Sequence, residues 1–227
     1  MSNIGEEFIA GICLSAKDEK VIFDFDIVEN NPLQEAVLRG DENKVIALLE
    51  KGYDPNEKNY KKNTSIHLAI QAENFHLLRH LVDYGGDINA KGSFGRAPIH
   101  MLLDTKQPLK GLEEIQQFNP DMTLKNKTKD TALQYSIKWQ PQREVVVKLL
   151  EMGSDPKTTD RLGNTCLHSL AINDDFVGDE MKKLIKILIN SGADINIKNS
   201  EGKTPLEVAT HIKNDSVVEA LLFPSHL

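Results

Sequence analysis

Cysteine is nearly absent. Cys13 and Cys166 are the only two in the chain, too few for a disulfide framework, and such usage fits a reducing compartment, the cytoplasm or nucleus. Aromatic residues make up 6% of the sequence, and Trp139 is the sole tryptophan. No apolar run approaches the roughly 20 residues that a spanning helix requires, so no membrane partner is expected. The start, Met1 to Glu7, has no basic residue ahead of the apolar stretch Phe8 to Leu14, so a secretory leader is not expected. Also missing are a glycine-rich phosphate loop, a paired-carboxylate motif and a nucleophile elbow, which leaves no basis for an enzyme or a cofactor. The 227 residues, 40% apolar and 27% charged, are enough for one continuous core but not for two globules and a linker.

What is present is repetition. A short pattern begins at Pro32-Leu33 and returns at Ser65-Ile66-His67-Leu68-Ala69, Ala97-Pro98-Ile99-His100, Thr131-Ala132-Leu133, Thr165-Cys166-Leu167-His168 and Thr204-Pro205-Leu206. Its anchors Leu33, Ile66, Ile99, Leu133, Leu167 and Leu206 are 33, 33, 34, 34 and 39 positions apart, a period that means a solenoid. A second pattern keeps step with the first: Gly52-Tyr53-Asp54-Pro55-Asn56, Gly86-Asp87-Ile88-Asn89, Asn119-Pro120-Asp121-Met122-Thr123, Gly153-Ser154-Asp155-Pro156 and Gly192-Ala193-Asp194-Ile195-Asn196.

Each unit has a physical reading of its own. In the second, Ile66, Ala69 and Ile70 have helical spacing, and Leu77, Leu78, Leu81 and Val82 share a face within Phe75 to Tyr84. Two short helices of this kind are unstable alone and stable only when a neighbouring unit covers them. Thr64, Thr131, Thr165 and Thr204 stand where an N-cap oxygen is needed, and a Gly or Asn follows each second helix where a left-handed C-cap belongs. The polar stretch from that Gly to the next Thr, such as Gly86 to Arg96, reads as a projecting turn or hairpin.

These motifs resemble the ankyrin repeat family, over about Asn31 to Leu222. The resemblance implies an all-α solenoid of about six helix-turn-helix units with projecting β-hairpin or turn fingers. The corresponding organisation is an N-terminal capping segment, 1–30, followed by repeats at about 31–59, 60–92, 93–126, 127–160, 161–199 and 200–227. In the capping segment Phe8, Ile9, Ile12 and Cys13 have helical spacing, while Val21, Phe23, Phe25 and Ile27 alternate as an extended segment does. A detachable docking motif is the other reading of that segment. The third unit, Thr105 to Phe118, lacks a clean pattern. The 39-residue step places about five extra residues near Asn173 to Glu180, an acidic loop ahead of a helix over Met181 to Ile189 whose dipole it suits.

His67, His100 and His168 occupy one position of the repeat. Stacked helices sit about 8–10 Å apart, whereas zinc ligands converge within about 2.0–2.3 Å of one ion, so this row cannot share a metal. The resemblance implies that it bridges neighbouring fingers, with Gln34, Gln134 and Glu207 substituting in other units. Cys166 and His168, two apart on a helix, diverge and make no nucleophile–base pair.

Function then falls to the surface. The finger windows 57–63, 90–96, 124–130, 157–164 and 197–203 hold Lys58, Lys61, Lys62, Lys91, Arg96, Lys125, Lys127, Lys129, Lys157, Arg161, Lys198 and Lys203 against Glu57, Asp130, Asp160 and Glu201. Twelve cations against four anions give +8, and with −7 overall the remainder carries −15. Two readings stand: solvated turns, or a surface for an acidic partner protein. Tyr60 and Phe94 lie among these cations, either packed on the next finger or meeting a partner. Trp139 falls at a late first-helix position held elsewhere by Arg39, Ala72, Thr105 and Asn173, where it is either an exposed partner-binding residue or folded over Pro141. The resemblance implies a non-catalytic protein-binding module, monomeric on its own, using the concave face and the fingers. A scaffold or substrate adaptor is the alternative. Stand-alone chains of this kind are similar to effectors that intracellular bacteria or viruses direct at host proteins, acting in the host cytosol. The acidic remainder and the lack of an interleaved aromatic platform speak against nucleic acid.

Overall fold

The computed structural model describes residues 12–14, 20–22, 30–139, 141–173 and 178–223. Its helices come in pairs along the chain: α1 (Pro32–Arg39) with α2 (Glu42–Glu50), α3 (Ser65–Gln71) with α4 (Leu78–Asp83), α5 (Pro98–Leu102) with α6 (Pro108–Ile115), α7 (Ala132–Trp139) with α8 (Arg143–Glu151), α9 (Cys166–Ile172) with α10 (Asp179–Asn190), and α11 (Pro205–Ile212) with α12 (Asp215–Leu222). The first helices α1, α3, α5, α7, α9 and α11 pack on one another in that order, and the second helices α6, α8, α10 and α12 form a parallel outer row. One core runs through all the units. The anchors Leu33, Ile66, Ile99, Leu133 and Leu167 are at most 2% exposed, and fully burying such a side chain contributes about 1.5–3 kcal/mol.

Local chemistry explains the ends of the helices. Pro32, Pro98, Pro108 and Pro205 open α1, α5, α6 and α11 at positions where a missing N–H costs nothing. The chain leaves the second helices α2, α8 and α10 through Gly52, Gly153 and Gly192, all with φ between 87° and 95°, a conformation natural to glycine. In place of the irregularity expected for the third unit there is a regular α6. Its Gly111 permits close packing, since a Cβ there would lie 2.3 Å from Leu102 Cδ2.

In the N-terminal segment Val21 is extended as expected, within a strand, but two residues differ from expectation. Ile12 and Cys13 do not lie on a helix: β1 (Ile12–Leu14) pairs antiparallel with β2 (Lys20–Ile22), Ile12 opposite Ile22. Four residues of helical spacing are too few to outweigh a strand pairing that satisfies the backbone. Phe8, Ile9, Phe23, Phe25, Ile27 and the capping role assigned to this segment lie outside the described residues, as do Asp174 to Val177 of the acidic insertion.

Neighbouring units are fastened by the repeat's histidine position. His67 Nε2 lies 3.1 Å from the Arg96 carbonyl, His100 Nε2 3.1 Å from that of Asp130, and His168 Nε2 3.0 Å from that of Lys203. A carbonyl only accepts, so each Nε2 carries the proton. Gln34 and Gln134 do the same work, donating to the carbonyls of Glu57 and of Thr158 and Asn164. On the other side of the ring, Nδ1 of His67 meets Thr64 Oγ1 at 2.8 Å and Nδ1 of His168 meets Thr165 Oγ1 at 2.9 Å. In the third unit Ala97 supplies no hydroxyl, and the buried His100 Nδ1 has no partner.

Candidate functional site

Each finger is a five-residue turn closed by a backbone hydrogen bond from its first N–H to its last carbonyl: Asn59 to Asn63, Gly92 to Arg96, Asn126 to Asp130, Asp160 to Asn164 and Asn199 to Lys203. Among the described residues these are turns without a β ladder. The fourth position is always left-handed: Lys62 (φ 65°), Gly95 (64°), Lys129 (67°), Gly163 (73°) and Gly202 (74°). Two lysines thus stand where glycine is the low-strain choice.

The twelve residues expected to bind a partner divide into groups. Lys58 Nζ donates to the Lys91 carbonyl at 3.0 Å and Lys125 Nζ to the Thr159 carbonyl at 2.7 Å, so these two ammoniums fasten one finger to the next. Arg96 is half-buried and ion-paired with Asp104. Lys61 holds its ammonium 5.0 Å from the Tyr60 ring. Lys62, Lys91, Lys127, Lys129 and Arg161 are exposed. Tyr60, Phe94 and Trp139 are 56%, 68% and 69% exposed; the Trp139 ring leans on Tyr135, centroids 6.5 Å apart.

Phe94 is held out by its backbone. Its φ of 54° is left-handed, and its carbonyl accepts from Lys127 N–H at 3.0 Å, tying the second finger to the third. The Arg96 guanidinium and the Lys127 ammonium each stand 5.9 Å from its ring, within reach of cation–π attraction. Phe94 and Arg96 form the wall between two clefts. The first, about 500 Å³, is lined by Lys61, Asn63, Gln71, Glu73, Ser93, Met101, Asp104, Thr105 and Lys106. The second, about 300 Å³, is lined by Asn126, Lys127, Thr128, Tyr135 and Trp139.

Residues that sequence reasoning missed fix this surface from below. Lys138 reaches both Asp130 and Asp160, carboxylates only 3% and 5% exposed at the feet of the third and fourth fingers. Burial disfavours the Lys138 charge, yet the two carboxylates outweigh it and hold its pKa above the usual lysine value. Tyr135 Oη donates to Asp104 at 2.9 Å. The only signal in the sequence was an acid closing the third finger and another opening the fourth, with a lysine on the helix between them.

The buried thiol and the histidine row are not poised for covalent chemistry. Cys166 is fully buried and its thiol is pushed up to about 12 by burial, which removes the reactive thiolate. His67 is lowered to about 4, again by burial, and His100 and His168 shift the same way, so all three are neutral hydrogen-bonding groups at neutral pH.

The family model for ankyrin repeats matches residues 12–92, 33–111 and 138–226. The chain belongs to the ankyrin repeat family. Ankyrin repeats are protein–protein interaction modules. An ankyrin repeat protein of fowlpox virus is 30% identical over 180 residues, spanning 75% of this chain and 87% of that one. An ankyrin repeat domain from Acinetobacter baumannii has a TM-score of 0.75 at 24% identity, covering 84% of this chain and 96% of its own. A chain in the complex of a Bdellovibrio bacteriovorus predatory endopeptidase with an immunity protein gives 0.68 at 22%, covering 86% and 98%. At these identities the two structural likenesses are of fold alone. Among the described residues no helix is long and apolar enough to cross a membrane.

Proposed function

We propose that this ankyrin chain is a non-catalytic binding module, monomeric on its own, that holds a partner protein along the side formed by its fingers and first helices, with residues 1–30 as its cap. One observation carries the reading. Of nine large apolar side chains exposed among the described residues, six stand on that side: Tyr60, Phe94 and Leu162 on fingers, and Trp139, Ile172 and Ile212 as the last residues of α7, α9 and α11. Exposed apolar surface gathered on one side and rimmed by charge marks an interaction site. Here the rim is cationic, with Lys61, Lys62, Lys127, Lys129 and Arg161 supplying an acidic partner's counter-charge. The buried, neutral histidines and the buried thiol support the absence of catalysis, and the near-absence of cysteine supports a place in the cytoplasm or nucleus.

The test is affinity capture with wild type, with a Phe94→Ser/Trp139→Ser variant and with Tyr84→Ser on the outer side. Partners recovered by wild type and Tyr84→Ser but lost from the double variant are expected. Equal recovery by all three would remove the proposal. A second reading, an effector or adaptor acting on host proteins in the host cytosol, draws on the likeness to the fowlpox protein. Vertebrate lysate yielding a partner that bacterial lysate does not is its expected signature.

A further inference from the structure

We propose that the two clefts flanking Phe94 and Arg96 bind an extended acidic segment of the partner, seating two of its side chains about three residues apart, one on each side of the Phe94 ring. The inference rests on the finger side being the binding side. It adds what the partner presents and in what register.

The register comes from the solenoid. The first cleft lies between the first and second fingers and the ends of α3 and α5, and the second between the second and third fingers and the end of α7. The two clefts are therefore related by one repeat, about 10 Å at helix-stacking distances. An extended chain rises about 3.3 Å per residue, so one repeat corresponds to about three residues. Phe94 stands between the clefts as the divider, and its backbone bond from Lys127 fixes it before any partner arrives, which lowers the cost of binding.

The chemistry comes from what the groove has already consumed. Its two carboxylates are occupied internally. Glu73 accepts from Lys106 N–H at 2.7 Å and from Gln107 Nε2 at 3.1 Å, while Asp104 takes Arg96 and the Tyr135 hydroxyl. Counting Lys61, Arg96, Lys106 and Lys127 against them leaves the lining net positive, although Arg96 is paired with Asp104 and Lys61 is itself engaged. The second cleft is walled by Phe94, Tyr135 and Trp139, a place for an apolar or aromatic side chain, and acidic residues beside it would meet Lys127. A nucleic acid strand could also use rings and cations, but it carries a charge at every nucleotide and would meet the −15 borne by the rest of the chain along its whole length, whereas a short acidic segment places its charges only beside the cationic lining.

The experiment uses the full chain and short peptides of Asp, Glu and Ser carrying two Phe or Leu residues at spacings of two, three or four. Trp139, as the only tryptophan, reports occupancy of the second cleft by its emission, and fluorescence polarisation gives the affinity. Expected are saturable binding with a Trp139 emission shift, strongest at a spacing of three, and about tenfold weaker binding for Phe94→Gly. Glycine suits a φ of 54°, so this variant removes the divider without unfolding the finger; Tyr84→Ser should bind as wild type does. No saturable binding anywhere in the peptide set, no dependence on spacing, or unchanged affinity in Phe94→Gly would each overturn the proposal. So would tighter binding of single-stranded DNA, or a dimer in sedimentation that Phe94→Gly dissolves, which would make the occupant a nucleic acid or a second copy. Loss of a captured partner from the Phe94→Ser/Trp139→Ser variant without any peptide binding would leave the binding side in place and sink this inference alone.

Discussion

Two lines of side chains run across the repeats, adjacent in places, and they obey different rules. The inner line faces the core: the buried Gln34, His67, His100, Gln134 and His168 each hold a carbonyl of the next finger, and the half-buried Lys138 ties two finger carboxylates. The outer line is exposed: Tyr60, Phe94, Trp139 and Leu162. Lys138 and Trp139 are consecutive on α7, one belonging to each line. The inner line repeats because every unit must present the same hydrogen bond to its neighbour. The outer line varies because nothing in the solenoid constrains it, and what varies at fixed geometry is where a particular partner can be read.

The largest expected break in the inner line is Lys138→Ala. It removes the counter-charge shared by two almost fully buried carboxylates, leaving Asp130 the Thr128 hydroxyl and Asp160 the Leu162 and Asn164 amides, and should cost about 3–5 kcal/mol in urea unfolding; a loss under about 1 kcal/mol would mean water replaces the ammonium. Next come Leu149→Ala and Leu188→Ala, at positions 0% exposed on α8 and α10, each expected to cost about 2–5 kcal/mol. Because units are stable only through neighbours, hydrogen exchange should quicken in the flanking repeats too, and an effect confined to one repeat would contradict the coupling.

Acid should loosen the same line. The folded pKa of His67 lies near 4, set by burial, below the unfolded value of about 6.5. The unfolded chain therefore binds more protons between these values. The stability from neutral His67 is complete above about pH 6.5 and is lost as pH falls through 4, a difference of about 3 kcal/mol. Carboxylates titrate in the lower part of that window, so the measurement is the difference between wild type and His67→Gln. Glutamine already serves at Gln34 and Gln134, and the variant should lose less stability between pH 7 and 5.

A smaller change tests the one imperfect unit. Ala97→Thr would give His100 Nδ1 the hydroxyl that Thr64 and Thr165 give their histidines, and should raise stability by about 1 kcal/mol. No gain would mean that the lone Nδ1 is already satisfied by solvent. The smallest effect is expected at the finger lysines beside the outer line. Lys62→Gly and Lys129→Gly relieve left-handed strain at φ 65° and 67° and should each stabilise by up to about 1 kcal/mol. If both also weaken association with an acidic partner, the lysine charge is kept there for binding despite the strain.

The sequence was a good guide wherever one unit repeats the demands of another. Leu33, Ile66 and Ile99 announce the helix pairs by their spacing, the Gly-Asp motif announces the turns, and the polar company of Trp139 at its repeat position matches a ring that is 69% exposed. It was a poor guide where a residue's role depends on which neighbour stands opposite. Lys58 and Lys125 read as surface charges beside Lys61 and Lys127, yet two of the four are spent on the next finger's backbone. Glu73 and Asp104 gave no sign that they were already occupied. Ile12 and Cys13 read as helical and pair as a strand, since four positions carry too little periodicity to decide.

By itself the sequence determined the period, the pairing of helices within each unit and the row of buried hydrogen-bonding residues, because hydrophobic spacing, caps and turn residues act locally along the chain. Only the tertiary structure decided which cations remain outward, that Phe94 stands between two clefts, and that Lys138 holds Asp130 and Asp160 together. Those outcomes depend on stacking that brings residues from successive repeats, such as Lys138 and Asp160, into contact, and on how much of each charge the neighbouring unit has already neutralised.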